Sequence, residues 1–174
     1  EGDRTQIGNP HPDFTMGLNL NFSYKGFDLN ITGAGAFGQQ IAKSYRSFAD
    51  SPLQNYTTDI FGRWTGEGTS NKLPRLTSGS HTNWQNISDI YIEDGDYLKI
   101  QNLTIGYDFK KLFPTMPLGQ ARLYLTAQNL FTFTGYSGMD PEIGYGYDKS
   151  WVSGIDLGYY PSPRTYMVGV NLKF

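Results

Sequence analysis

From Phe14 to Tyr24 the sequence alternates without a break. Phe14, Met16, Leu18, Leu20, Phe22 and Tyr24 share one parity, and Thr15, Gly17, Asn19, Asn21 and Ser23 share the other. Side chains of an extended strand point to opposite faces in turn, whereas a helix would spread the same apolar set around its circumference. The stretch is therefore predicted as a strand with one apolar face and one small polar face. Lys25-Gly26 supplies a two-residue turn in which Gly accepts positive φ, and 27–37 returns with Phe27, Leu29, Ile31 and Phe37 on its odd parity. The turn sets the register. Tyr24 falls opposite Phe27, Phe22 opposite Leu29, Leu20 opposite Ile31, Leu18 opposite Gly33 and Phe14 opposite Phe37, so both apolar sets share one side.

The opposite face narrows the setting. Asp28, Asn30, Thr32, Ala34 and Ala36 join the Thr, Asn and Ser set, small and mostly uncharged groups where a water-exposed sheet ordinarily carries Lys and Glu. Aromatics gather at both ends of the paired strands, Phe14 and Phe37 at one, Phe22, Tyr24 and Phe27 at the other, with aliphatics or Gly between. That sorting matches two interfacial girdles about 25 Å apart on a transmembrane barrel with a polar lumen. A soluble β-sandwich has no reason to sort its aromatics by height. No run approaches the roughly 18 apolar residues of a spanning helix, yet a barrel strand needs only about 9–11 residues, of which alternate ones face lipid. The net charge of -2 with no Lys/Arg cluster gives no electrostatic case for nucleic acid, and the absence of Cys excludes disulfides and thiolate metal sites.

The rest of the chain repeats the pattern with long interruptions. Expected strands cover about 13–24, 27–37, 97–109, 120–131 and 164–174. In the third, Leu103, Ile105, Tyr107 and Phe109 share a parity that Leu98 and Ile100 do not, which calls for a bulge near Gln101 and Asn102. The fourth alternates Ala121, Leu123, Leu125 and Ala127 against Gln120, Arg122, Tyr124, Thr126 and Gln128. The last places Tyr166, Val168, Val170, Leu172 and Phe174 on one face. A short helix is expected near Gln39–Phe48, with Ile41, Tyr45 and Phe48 on one side. Connections run long, short, long, short, long: 1–12, Lys25-Gly26, 38–95, 110–119 and 132–163. Bacterial barrels have short periplasmic turns and long extracellular loops, so 1–12, 38–95 and 132–163 are expected outside the cell and the terminal strand is expected to run down to the periplasm. Five strands cannot close a barrel, so the chain is expected to be the end of a longer polypeptide.

These residues also carry a family resemblance. Ile7-Gly8-Asn9-Pro10-His11-Pro12-Asp13-Phe14-Thr15, Arg63-Trp64-Thr65, Pro74-Arg75, the run Ile92-Glu93-Asp94-Gly95-Asp96-Tyr97-Leu98-Lys99-Ile100-Gln101-Asn102-Leu103-Thr104-Ile105-Gly106-Tyr107, Gln128-Asn129-Leu130-Phe131-Thr132, Gly138-Met139-Asp140-Pro141-Glu142 and Tyr160-Pro161-Ser162-Pro163-Arg164-Thr165 together resemble the C-terminal part of SusC/RagA-type TonB-dependent outer-membrane transporters. One departure is Ile90, where the family's pattern carries Arg. The resemblance implies an all-β, transmembrane antiparallel barrel of about 22 strands with a plugged lumen, of which this chain supplies the last five. It implies import of glycan fragments or peptides, a SusD-like surface lipoprotein as lid, and energy from TonB through a plug-bearing N-terminal part outside these residues. It also implies an outer-membrane location in a Gram-negative bacterium.

Candidate contacts with substrate or partner are Arg63, Trp64, Trp84 and Trp151, whose flat rings suit the apolar face of a sugar or an interface anchor, and Asp140 with Glu142. Asp140 and Glu142 flank Pro141 with no partner that would tune a pKa, so they give no catalytic pair, and no enzyme is expected. Glu93, Asp94 and Asp96 lack the spaced ligand series of a calcium loop, and His11 and His81 lack ligand spacing, so no metal and no cofactor is predicted. The face Tyr166, Val168, Val170, Leu172, Phe174 is expected to serve as the strand read by the barrel assembly machinery and to face outer-membrane lipid. A non-transport barrel, such as an adhesin or structural porin, would share the strands but lack the family's motifs. A soluble glycan-binding β-sandwich would explain the tryptophans but not the sorted aromatics.

Overall fold

A computed structural model of the chain describes residues 4–45, 58–76, 88–143 and 153–174. Its contacts divide into two units, each with its own packing. The first is a five-stranded antiparallel sheet built from β1 (Phe14–Tyr24), β2 (Phe27–Phe37), β5 (Tyr97–Asp108), β6 (Gln120–Thr134) and β7 (Thr165–Lys173), ordered β1-β2-β5-β6-β7. The second unit holds a two-stranded sheet of β3 (Gln40–Ala42) and β4 (Ile92–Asp94). Among the described residues no helix is long and apolar enough to cross a membrane, which leaves crossing by strands untouched.

The β1–β2 register is the one its turn dictates, with Tyr24 opposite Phe27, Leu20 opposite Ile31 and Phe14 opposite Phe37. Lys25 and Gly26 both take positive φ, 47° and 93°, the twist that a two-residue hairpin requires. Register then carries each face across the sheet. Leu20, Ile31, Leu103, Ala127 and Tyr166 form one row; Phe22, Leu29, Ile105, Leu125 and Val168 form the next on the same face. The other face holds Asn19, Thr32, Asn102, Gln128 and Thr165, then Asn21, Asn30, Thr104, Thr126 and Met167. Asn19, Asn21 and Asn30 hydrogen-bond one another there, and Thr104 pairs with Thr126 at 2.9 Å.

The change of parity in β5 is resolved at Gln101. Thr32 pairs with Asn102 and Gly33 with Ile100, so Gln101 is an extra residue against β2, and Ile100 and Leu98 return to the apolar face. β6 is long by one residue at the same level, where Asn129 sits at φ 51° and its side-chain amide donates to the Pro163 carbonyl at 3.0 Å. Asn is among the few L-residues that tolerate this conformation. β6 also runs further than the alternation suggested, to Thr134, so that Phe131 and Phe133 stack edge to face on the apolar side.

On the polar face a chain of side chains crosses four strands. Arg122 of β6 grips Asp28 of β2 in two parallel bonds, Nε–Oδ1 at 2.7 Å and Nη2–Oδ2 at 2.5 Å, passing over β5 at Gly106. A Cβ at Gly106 would lie 2.6 Å from both the Arg122 Nε and the Asp28 Oδ1. The same guanidinium sits 4.8 Å from the centroid of the Tyr124 ring, whose outer end occupies the space above Gly169 of β7, where a Cβ would overlap it. Interior strand glycines weaken a sheet unless another group uses the space, and here both spaces are used.

Among the described residues of the second unit, buried polar pairing is prominent. The stretch expected as a helix near Gln39–Phe48 opens instead as β3, because Gln40, Ile41 and Ala42 pair with Asp94, Glu93 and Ile92; Ser44 and Tyr45 are helical, and 46–48 lie outside the described residues. Ile41 is almost wholly buried, with Tyr91 and Tyr136 around the same core. Lys43, also buried, places its ammonium 2.9 Å from Glu93 Oε1, and Ser137 donates its backbone N–H and its hydroxyl to the two Glu93 oxygens. Burial pushes the Glu93 carboxyl up, but the bonds from Lys43 and Ser137 outweigh it and hold it below its ordinary value. The segment 153–160 joins through Ala42, whose backbone bonds both Gly154 and Asp156.

Two outcomes follow from these contacts. Gly106→Ala and Gly169→Ala should each lower the heat-modifiability midpoint of the complete, membrane-inserted protein by the equivalent of about 1–3 kcal/mol, the usual cost of overpacking. Gly17→Ala, with nothing within 4 Å of its Cβ, should leave the midpoint unchanged, and equal effects at all three sites would contradict the brace. Lys43→Met strands a half-buried carboxylate, so hydrogen exchange at the Lys43 and Gly95 amides should speed up by the equivalent of about 3 kcal/mol. Because the folded Glu93 value is depressed, the pair's contribution is complete above the ordinary glutamate value of 4.5 and is lost as pH falls below it. Exchange protection that persists through that acid range would show that the pair contributes nothing.

Candidate functional site

Arg63 and Trp64 lie on an ordered turn. Arg63 bridges Leu73, Trp64 N–H donates to the Leu73 carbonyl at 3.0 Å, and the Thr69 hydroxyl accepts from the backbone N–H groups of Thr65 and Gly66. The Ser70 hydroxyl accepts from the Lys72 and Leu73 N–H groups. The two sequence-predicted neighbours do different things. The Arg63 guanidinium turns back onto the Ile60 carbonyl at 3.0 Å, whereas Trp64 remains 39% exposed and lines a cleft of about 500 Å³ together with Lys72 and Arg75. Lys72 carried no signal of its own in the sequence and Arg75 only as part of the Pro74-Arg75 motif; the fold of 63–75 brings both to the cleft that Trp64 lines.

Asp140 and Glu142 sit on one turn. Asp140 is buried and its Oδ1 accepts the Glu142 N–H at 3.0 Å, which closes the chain around Pro141. Trp84 and Trp151 lie outside the described residues. Tyr166, Val168, Val170, Leu172 and Phe174 share the apolar face of β7 and its end, and all are more than half exposed. They continue the exposed rows of Phe22, Ile105 and Leu125. A monomer in water rarely leaves so continuous an apolar surface open.

A second cleft, about 550 Å³, lies in the loop unit and could not be read from the sequence, because its walls come from stretches far apart in the chain. Residues 5–11 form one wall, Gln40 and Ile92 another, and Gly154 with Ile155 a third. Its shape is fixed by Gln40, whose backbone N–H donates to the Asn9 carbonyl and whose side chain accepts the Asn9 N–H.

Among the described residues outside the sheet, the Tyr136 phenol is pushed up by burial first and then by its 2.6 Å bond to Asp156. Asp156 is itself buried and caps the Gly158 and Tyr159 N–H groups, so Tyr136 stays a protonated structural donor. Among the described residues no three His, Cys, Asp or Glu side chains gather in a way that could hold a metal ion. What the geometry provides is surface for binding.

No protein-family model matches the chain. Among curated proteins it is similar to TonB-dependent receptor P3 of Formosa agariphila, 37% identical over 99% of this chain and 17% of that protein. It is also similar to TonB-dependent receptor SusC of Bacteroides thetaiotaomicron, 29% identical over 99% of this chain and 16% of that protein. Among solved structures, the RagAB peptide transporter superposes with a TM-score of 0.70 at 26% identity, over 92% of this chain and 17% of that one. The RagAB peptide importer in its open-open state gives 0.71 at 27% identity, over 94% of this chain and 17% of that one. The chain spans less than a fifth of these relatives' own length. Matched along nearly all its residues in sequence and in strand architecture, the chain belongs to the SusC/RagA-type TonB-dependent receptors, as a portion of their β-barrel.

Proposed function

We propose that this chain is part of a TonB-dependent outer-membrane transporter that imports glycan fragments or peptides with a SusD-like surface lipoprotein. The observation that carries the reading is the two-faced sheet. One face holds exposed Phe, Leu, Ile and Val in continuous rows and the other holds Asn, Thr and Gln, over strands of nine to fifteen residues. About 9–11 residues suffice to cross the hydrocarbon. The solved relatives that superpose on the chain are described as a peptide transporter and importer, and the curated ones as TonB-dependent receptors, which supports transport over catalysis.

In this reading the five strands join others in the receptor to close the barrel, with the apolar face against outer-membrane lipid and the polar face lining the lumen. The long connections all leave the sheet at the end that holds Phe14, Phe37, Tyr97 and Thr134, and the short turns lie at the end that holds Tyr24, Phe27, Asp108 and Gln120. The first end is extracellular and the second periplasmic. Residues 1–12, 38–95 and 132–163 then supply contacts for substrate and lipoprotein, among which Trp64, Trp84 and Trp151 are the aromatic candidates, with Arg63, Asp140 and Glu142 beside them. TonB acts through a plug-bearing part of the receptor outside these residues, and the barrel assembly machinery engages the strand that ends at Phe174.

Two experiments test the reading. Replacing residues 46–87 of the complete receptor by a short Gly/Ser linker spares β3, β4 and the Lys43–Glu93 pair. It should leave surface abundance intact while weakening lipoprotein co-purification and substrate-dependent growth; normal growth with normal co-purification would remove the loop from function. Separately, Val168→Asp with Val170→Asp should sharply reduce outer-membrane levels, since a charge at lipid-facing depth costs on the order of 2–4 kcal/mol for Lys or Arg and somewhat less for Asp. Undiminished levels of a heat-modifiable barrel would place β7 away from lipid.

A further inference from the structure

We propose that the Trp64 cleft is a subsite for an acidic sugar, a uronate or a sulfated residue, within the substrate range of the transporter proposed above, on which reading it rests. Three features of the cleft converge on that class. Its volume, about 500 Å³, suits one or two sugar rings, and it is shallow enough to admit them side-on. Trp64, 39% exposed, offers a flat aromatic face, the usual platform for the apolar face of a pyranose. Lys72 and Arg75 line the same cleft, both exposed. Lys72 has no carboxylate partner among the described residues, in a chain whose formal net charge is -2. Cationic side chains lining a cleft with an exposed aromatic are wasted on a neutral sugar and suit an anionic one.

The backbone of the cleft argues against a peptide. A bound peptide gains much of its affinity by pairing its main chain with free backbone groups. Here the N–H groups of Arg63, Trp64, Thr65, Gly66, Thr69, Lys72 and Leu73 already donate, to Ile60, Leu73, the Thr69 hydroxyl, Gly66 and the Ser70 hydroxyl. Position 74 is proline, which has no N–H. Recognition therefore falls to side chains, above all the Trp64 ring face and the Lys72 ammonium. The same internal bonds hold the turn rigid before any ligand arrives, so little ordering is needed on binding.

The test uses the complete receptor, purified with its lipoprotein, on an array of carboxylated, sulfated and neutral oligosaccharides, with acidic peptides as a further arm. Binding to one or more acidic glycans is expected, falling as salt rises. Lys72→Gln and Trp64→Ala should each weaken it about tenfold or more, the scale of losing one charged hydrogen bond or one buried aromatic contact. Neutral glycans alone, no acidic glycan at all, acidic binding that both variants retain, or acidic peptides that depend on the same two residues would each overturn the assignment. Surface abundance and substrate-dependent growth of the unaltered receptor are read in parallel. A receptor that reaches the surface and supports growth while its array binding ignores Trp64 and Lys72 sinks the subsite and leaves transport standing. A receptor that supports no uptake of any array ligand sinks transport itself.

Discussion

Lateral backbone hydrogen bonding is the constraint on which the rest of this structure depends. In hydrocarbon no water is present to satisfy an exposed N–H or C=O, so a spanning sheet is possible only where each strand pairs with its neighbours along its whole length. The ladder from β1 to β7 meets that demand across four consecutive pairings. Once the backbone is satisfied, side chains on one face are free of any need for water, and that face is apolar and exposed from Phe22 to Val168. The two departures from regular pairing, at Gln101 and Asn129, leave the division between the faces intact.

The polar face shows a second consequence of the same ladder. Neighbouring strands lie close enough for a long side chain to reach past one of them only where that strand carries glycine. Gly106 lets Arg122 reach Asp28, and Gly169 gives the Tyr124 ring its resting place. This brace stands at the end of the sheet that holds the short turns and ties β2, β5, β6 and β7 into one plate. The loop unit solves a different problem. Around Ile41 and Tyr91, Lys43, Glu93 and Ser137 bond one another and Tyr136 bonds Asp156, which fixes one arrangement of segments that are distant in sequence.

What could be read in advance divides along the same line. The hairpin register was legible to the residue because a two-residue turn and a strict period of two leave one solution, and the bulge near Gln101 was legible because Leu98 and Leu103 cannot share a parity without it. The faces of β6 and β7 followed from alternation as well. β3 and β4 were not legible. Three residues are too few to show a period, and the partner of Ile41 lies at Glu93, so Gln40–Ala42 looked like the start of a helix. Arg122 and Asp28 are 94 residues apart, and nothing in either neighbourhood announces the other. At the candidate site the sequence singled out Trp64 for its size, but assigned its neighbouring charge to Arg63, which the fold turns inward onto Ile60, while Lys72 and Arg75 reach the cleft through a turn capped by Ser70.

The central claim is that this sheet has a lipid face and a lumen face. Single cysteines introduced into the complete receptor in intact cells test it most directly, since the natural chain here has none of its own. Asn19→Cys and Thr32→Cys lie opposite each other on the polar face, and Leu20→Cys and Ile31→Cys on the apolar one. With a small water-soluble maleimide, the first pair should label rapidly and the second pair scarcely at all until detergent strips the lipid. Rapid labelling at 20 and 31 with protection at 19 and 32 would mean that the barrel is inside out. Equal labelling at all four would mean that the sheet does not cross a membrane.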